Sequence, residues 1–206
     1  MIFMDKDEFL LKRIRELANL SYQRDIVTFT DFLNLNEQNM LATLKLRQMG
    51  VSVKLFGGYN HAERQMAAFY PGTVGFSWEY PIDCLKITPK ALRFSEELGH
   101  RDYLGAILNL GVDRSVVGDI LIKDKEAWVF CLHKMSDFFI DNLVRVRHTT
   151  VLVTRVEQAE EIPEPQFEAI SGTCASVRLD SLIGLAFQTS RSSMVSFIES
   201  GLVFVN

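Results

Sequence analysis

Between Ile82 and Val156 the hydrophobic period switches between two and three-to-four in an order that few folds accommodate. Residues 82–88 alternate as a strand, which Pro89 ends. Residues 102–110 recur at helical spacing, and Gly111 suits the left-handed position that follows a helix. Strands at 119–123 and 126–132 flank a tight turn at Asp124-Lys125. A second helix is expected over 135–143 with Phe138, Phe139 and Leu143 inward, and a β-branched strand over 149–156. The order β-α-β-β-α-β predicts a ferredoxin-like domain within an α+β chain.

The preceding segment, 1–81, is less regular. An amphipathic helix is expected over 8–20 (Phe9, Leu10, Ile14, Leu17) and another over 37–49, ended by Gly50. Val51–Phe56 reads as a strand, Gly57-Gly58 as a turn, and 62–69 as a returning helix before Pro71-Gly72. These elements predict an α+β subdomain packed on the central one. After the central domain, 157–177 reads as a stiff acidic linker around Pro163 and Pro165.

Charge supports that division. The net charge of −4 argues at first against a nucleic-acid partner. Yet the linker holds five glutamates and no basic residue, so the remaining segments are close to neutral. No apolar stretch approaches a membrane span and no signal peptide opens the chain, so a cytoplasmic protein without a membrane partner is expected. Cys84, Cys131 and Cys174 are widely spaced and read as reduced thiols.

Residues 178–206 point to a ligand class. Leu179, Leu182, Ile183, Ala186 and Phe187 share one helix face. Ser190 stands where an N-cap belongs, and a second helix follows through Met194, Phe197 and Ile198, with Gly201 at its end and a strand beginning at Val203 and Val205. The start of that second helix offers free N–H groups and a positive dipole end to phosphate, with Arg191 and Ser192 in its first turn and Arg178 able to close the patch. The spacing of Arg178-Leu179-Asp180, Ser190-Arg191-Ser192 and Gly201-Leu202-Val203-Phe204-Val205-Asn206 resembles the S-four (alpha-L) RNA-binding domain. The resemblance implies RNA contacts at Arg178, Asp180, Ser190, Arg191, Ser192, Ser193 and Asn206. Family members often carry lysine where this sequence has Ser193, Glu199 and Leu202, so the patch is poor in charge. The strands that complete the module are not in the sequence, so a partial S-four module is expected, with Val203–Asn206 a strand lacking its partners and mobile.

Two internal stretches extend the likeness. Gly57-Gly58-Tyr59-Asn60-His61-Ala62-Glu63-Arg64 and the run from His100-Arg101-Asp102-Tyr103 through Gly111, continuing to Gly118-Asp119-Ile120, are similar to the YlmH family of bacterial S-four-domain proteins. The resemblance implies an N-terminal domain, a central RNA-recognition-like domain and a C-terminal S-four domain. It further implies binding to ribosomal or transfer RNA on the large ribosomal subunit, in clearing stalled peptidyl-tRNA complexes. An association with cell division is an alternative.

Other candidate sites divide between chemistry and structure. His100-Arg101-Asp102 shares three residues with the protein-kinase catalytic loop, but Ile107 stands where asparagine is required. Helix-entry chemistry explains it better, with Gly105 permitting close packing on the sheet. Arg64 beside Gly57-Gly58 reads equally as a phosphate contact or an ion-pair partner, and Arg145, Arg147 and His148 form a small basic cluster. Trp128 and Phe130 alternate where RNA-recognition domains display stacking aromatics, though an apolar seat for the N-terminal subdomain is the simpler role. The four histidines lack metal-ligand spacing, and no nucleophile elbow or carboxylate pair stands out. The expectation is a non-enzyme with no cofactor and no small-molecule substrate. An RNA-modifying enzyme that uses the S-four module as a handle is the rival, testable at Asp83, Asp102 and Asp119.

Overall fold

The computed structural model describes residues 6–72, 78–158, 161–164, 169–174, 176–200 and 202–203. They divide into two units, Met1–Glu164 and Pro165–Asn206, so the segments expected as 1–81 and 82–156 lie in one unit. Helix α1 (Lys6–Arg24) buries Ile14, Leu17 and Ala18 at helical spacing. Helix α2 (Leu35–Ala42) opens with a reciprocal cap: Asn34 accepts the Glu37 N–H at 2.9 Å, and Glu37 accepts the Asn34 N–H at 2.8 Å. The helix expected over 37–49 therefore starts earlier and stops at Ala42. A 3-10 turn at Leu46–Met49 follows, closed by Gly50 in the left-handed region.

Strands β1 (Thr28–Leu33), β2 (Val51–Phe56) and β3 (Gln65–Pro71) form an antiparallel sheet in the order β1-β3-β2. The helix expected over 62–69 is absent, and β3 occupies most of that stretch as the central strand. Its alanines and glutamine favour helix locally, but Ala67 and Ala68 are fully buried between layers, and that packing overrides propensity. The β1–β3 register shifts between Phe29 and Phe32. The Thr30 hydroxyl accepts the Ala67 N–H there at 2.9 Å, repairing the ladder.

The second sheet holds β4 (Ile82–Pro89), β5 (Val117–Lys123), β6 (Glu126–Leu132), β7 (Arg145–Val146) and β8 (Thr149–Arg155) in the order β5-β6-β4-β8-β7. Helices α3 (His100–Leu108) and α4 (Ser136–Asn142) pack on one face through Tyr103, Ile107 and Phe139, against Leu85, Ile87, Val129 and Val153. This is the ferredoxin-like arrangement, with β7 as a short added edge. Two details differ from expectation. Phe138 is 37% exposed while Phe139 and Leu143 are buried. Gly105 has open space where a Cβ would stand, so it does not mark close packing.

The other face of the second sheet carries the N-terminal sheet. Phe32 and Met66 bury against Cys84, Trp128, Phe130 and Leu132. The first unit is thus four layers, helix–sheet–sheet–helix, and each fully buried aromatic or aliphatic side chain at the sheet–sheet contact contributes roughly 1.5–3 kcal/mol. Gly58 (φ 101°) makes the contact possible: a Cβ there would stand 2.4 Å from Phe130 Cδ1. Tyr59 stacks on the same ring, centroids 4.8 Å apart. Its hydroxyl donates to Asp119 at 2.9 Å, and the same carboxylate accepts the N–H groups of Glu63 (2.7 Å) and Arg64 (3.1 Å).

The segment expected as a linker begins within this unit. Val156 donates to the Cys84 carbonyl at 2.9 Å, and Ile162 packs against the sheet–sheet cluster. Burial pushes the Cys84 and Cys131 thiols up to about 12, so both stay protonated.

Asp119→Ala strands one hydroxyl and two N–H donors at the joint. The expected cost is about 3 kcal/mol, given roughly 1.5–3 kcal/mol for hydrogen bonds to a charged group. Urea unfolding of the full chain measures it, and a change within error of zero would show that the joint does not depend on this carboxylate.

Candidate nucleic-acid interface

In the second unit, helices α5 (Leu179–Ala186) and α6 (Arg191–Glu199) form a hairpin. Gln188 takes positive φ in the turn, and the Thr189 N–H reaches the Gly184 carbonyl at 2.9 Å. A Cβ on Gly184 would stand 3.2 Å from the Thr189 carbonyl oxygen, so glycine lets the turn close tightly. Nothing in the apolar periodicity marks that residue, since it lies between Ile183 and Leu185 on a regular helix.

Ser190 caps α6 as its position suggests: its side chain accepts the Ser193 N–H at 3.2 Å and lies 3.1 Å and 2.7 Å from the Ser192 and Ser193 hydroxyls. Asp180 has a different place from the one expected. It is 4% exposed, so it faces inward rather than toward a ligand. One carboxylate oxygen accepts Nε of Arg178 at 3.2 Å and the other accepts Nε of Arg191. Both arginine side chains remain more than half exposed, at 61% and 57%. Asp180 therefore positions two guanidinium groups beside the capped start of α6. The hydrogen bond from Arg191, joined by that from Arg178, holds the Asp180 carboxyl below the usual aspartate range. The structure thus brings together Arg178, Asp180, Ser190, Arg191, Ser192 and Ser193. Asn206, the end-of-helix Gly201 and the strand expected through Val205 lie outside the described residues.

The candidates in the first unit separate. Arg64 donates to the carbonyls of Val117 (3.1 Å) and Phe32 (3.0 Å), and its burial lowers its pKa. Its guanidinium is thus engaged in the sheet–sheet joint and is not presented to phosphate. Arg114, also donating to the carbonyls of Val117 and Gly118, is lowered to about 10 by burial. Arg147 sits at the β7–β8 turn with φ 50° and pairs with Asp102 at 3.5 Å. Arg145 is exposed on β7. Trp128 and Phe130 are 5% and 1% exposed, seats for the N-terminal sheet.

The three aspartates of the enzyme alternative are all engaged. Asp83 accepts from Ser136 and, at 3.0 Å, faces His133 Nδ1 and pairs with Arg155. Although burial opposes it, the Ser136 and His133 hydrogen bonds hold that carboxyl below the usual range. Asp102 accepts the Gly99 N–H at 2.9 Å at the start of α3, and Asp119 serves the joint. Among the described residues, no group of three or more histidine, cysteine or acidic side chains is arranged to hold a metal, and no helix is long and apolar enough to cross a membrane.

Residues 78–160 match the family model YlmH_RBD, described as "Putative RNA-binding domain in YlmH". The chain is 27% identical to the Ribosome-associated protein quality control protein P2 of Bacillus subtilis (strain 168), an alignment covering 99% of this chain and 79% of that protein. Over residues 78–160 the chain is similar to the YlmH family. A solved structure, the Cell division protein ylmH from Streptococcus pneumoniae, has the same fold, with a TM-score of 0.61 at 23% identity, covering 79% of this chain and 98% of that one. The YlmH RNA-binding domain maps onto β4 to β8 with α3 and α4. The Gly57–Arg64 stretch lies outside that match and builds the joint that covers the domain's aromatic positions.

Asp180→Asn tests the arginine clasp against simple charge counting. Removing an acid beside a candidate phosphate site should raise RNA affinity if only net charge matters. With the clasp lost, affinity is expected to fall on the order of five-fold, by fluorescence anisotropy. The depressed Asp180 pKa also sets a pH window. The clasp's contribution is full above the usual aspartate value of about 3.9 and is lost as pH falls through the lower folded value. Binding limited by the clasp should therefore stay flat down to about pH 5.

Proposed function

We propose that this chain is a non-catalytic RNA-binding protein that docks on the large ribosomal subunit and contacts ribosomal or transfer RNA there. The observation that carries this reading is the Arg178–Asp180–Arg191 clasp beside the Ser190-capped start of α6. Two preorganised guanidiniums, serine hydroxyls and free helix N–H groups fit phosphate oxygens, and they fit little else as well. Arg178, Ser190, Arg191, Ser192 and Ser193 would make the contacts, with Asp180 holding the arginines in place. The match of residues 78–160 to the YlmH RNA-binding domain supports a second RNA surface in the first unit. Two modest surfaces on one chain raise each other's effective concentration, so neither needs high affinity.

The biological setting draws on a relative. The Bacillus subtilis protein's name places it in ribosome-associated protein quality control. The same work here would be recognition of stalled, peptidyl-tRNA-obstructed large subunits in the cytoplasm. A division role is favoured only by the name of the pneumococcal structure, and it predicts no RNA in the purified complex. The engagement of Asp83, Asp102 and Asp119 in caps, pairs and the joint speaks for a binding role over RNA modification.

Sedimentation through sucrose gradients, with and without ribonuclease, tests the proposal. The full chain is expected to co-migrate with large subunits, and Arg191→Ala is expected to release most of it. Protein remaining at the top of the gradient at low salt overturns the reading.

A further inference from the structure

The sheet register exposes a second surface that none of the aromatic positions suggested. Directly paired residues of antiparallel strands place their side chains on one face. On β8 the buried Val151 and Val153 face the helices, so Thr150, Leu152 and Thr154 face the other way. Leu152 pairs with Thr88 and Thr154 with Lys86 across β4, and Thr150 pairs with Arg145 across β7. The Lys90 N–H donates to the Thr150 carbonyl at 3.0 Å, continuing the same register one step beyond β4.

This face changes character along the strands. Ile82, Cys84 and Val156 belong to the cluster under the N-terminal sheet. Beyond them the face opens: Lys90, Arg145, Thr150 and Thr154 are exposed, and Leu152 is 50% exposed. Lys86 lies over the Trp128 ring at 5.1 Å and pairs with Glu126 at 2.8 Å, closing the border between the two halves. Cations and hydroxyls thus share rows about 7 Å apart, a spacing of two residues along each strand.

We propose that the open half of the β4–β8–β7 face binds a single RNA strand by its backbone, with Lys90 and Arg145 holding phosphates and Thr150 and Thr154 offering hydroxyls to phosphate or ribose. The inference rests on the RNA-binding reading above and gives the central domain its own surface. Base stacking is unavailable, because Trp128 and Phe130 are buried and Lys86 covers the Trp128 ring. Positive charge without an unpaired carboxylate on these three strands' open face selects a polyanion. Hydroxyls and the exposed Leu152 suit a ribose-phosphate chain better than a compact anion. Arg147 is outside the site, held by Asp102 at the hairpin tip, and Arg64 is sealed in the joint.

The experiment measures binding of a short fluorescein-labelled oligouridylate to the full chain by anisotropy across a salt series. Uridine stacks weakly, so the backbone contribution dominates. Lys90→Ala and Arg145→Ala are each expected to shallow the slope of log K against log salt by about 0.7, the value for one phosphate contact on a single strand. Both side chains are exposed, and an unchanged thermal midpoint confirms the fold. Arg191→Ala serves as the reference. If it weakens binding while both first-unit variants leave slope and affinity unchanged, this surface is overturned and the RNA-binding reading stands. If the unmodified chain binds no RNA at low salt, both fall together.

Discussion

The burial of Phe130 beneath the N-terminal sheet governs the rest of the first unit. A sheet with helices on one face ordinarily leaves its other face to solvent or to a ligand. Here that face must seat Phe32 and Met66, and the approach is close enough that only glycine fits at position 58. Once the sheets meet, polar groups at their rim lose water and need internal partners. Asp119 takes three donors there, and Arg64 and Arg114 spend their guanidiniums on carbonyl oxygens. Burial then lowers both arginine pKa values, a consequence of the same contact. The family-like stretches at 57–64 and 118–120 are therefore the hardware of a sheet–sheet joint.

That joint redirects function. RNA-recognition domains read bases with aromatics on the central strands. With Trp128 and Phe130 taken into the core, the RNA contacts proposed above fall where side chains remain free. The sheet's β4–β8–β7 half and the α6 helix start are such places, and both offer backbone-directed chemistry: cations, hydroxyls and N–H groups. Recognition built this way reads position and shape more than base identity. It suits a protein whose target is defined by the surface of a large RNA assembly.

The sequence made the central topology legible because its periods are long and punctuated: Pro89, Gly111 and the Asp124-Lys125 turn each mark a boundary that the structure keeps. The Ser190 cap was legible for the same reason, since a hydroxyl at that offset has one main use. Residues 62–69 were misleading because Ala67, Ala68 and their neighbours form helix locally, and only the partner strands β1 and β2 on either side, with packing on both faces, make them a strand. Arg64 and Asp180 show the parallel limit for sites. An arginine beside two glycines and an aspartate beside an arginine look alike whether they face solvent or interior. Burial decides their roles, and burial is set by elements far away in the chain. The row of Lys90, Thr150 and Arg145 was invisible for another reason: residues up to sixty positions apart become neighbours only through register.

The acid at the centre of the arginine clasp changes how the neutral charge of residues 178–206 should be weighed. Counting Arg178 and Arg191 against Asp180 and Glu199 gives no net attraction for RNA. Yet a free arginine gives up much rotamer freedom on binding phosphate, and Asp180 imposes that loss during folding. The price is a weaker long-range field and slower electrostatic capture. What remains is a short-range, geometrically fixed site that discriminates against phosphates arriving in the wrong arrangement. A lysine-rich surface would hold any RNA it met. A clasped pair, working with the second surface proposed above, would hold only RNA that presents phosphates to both.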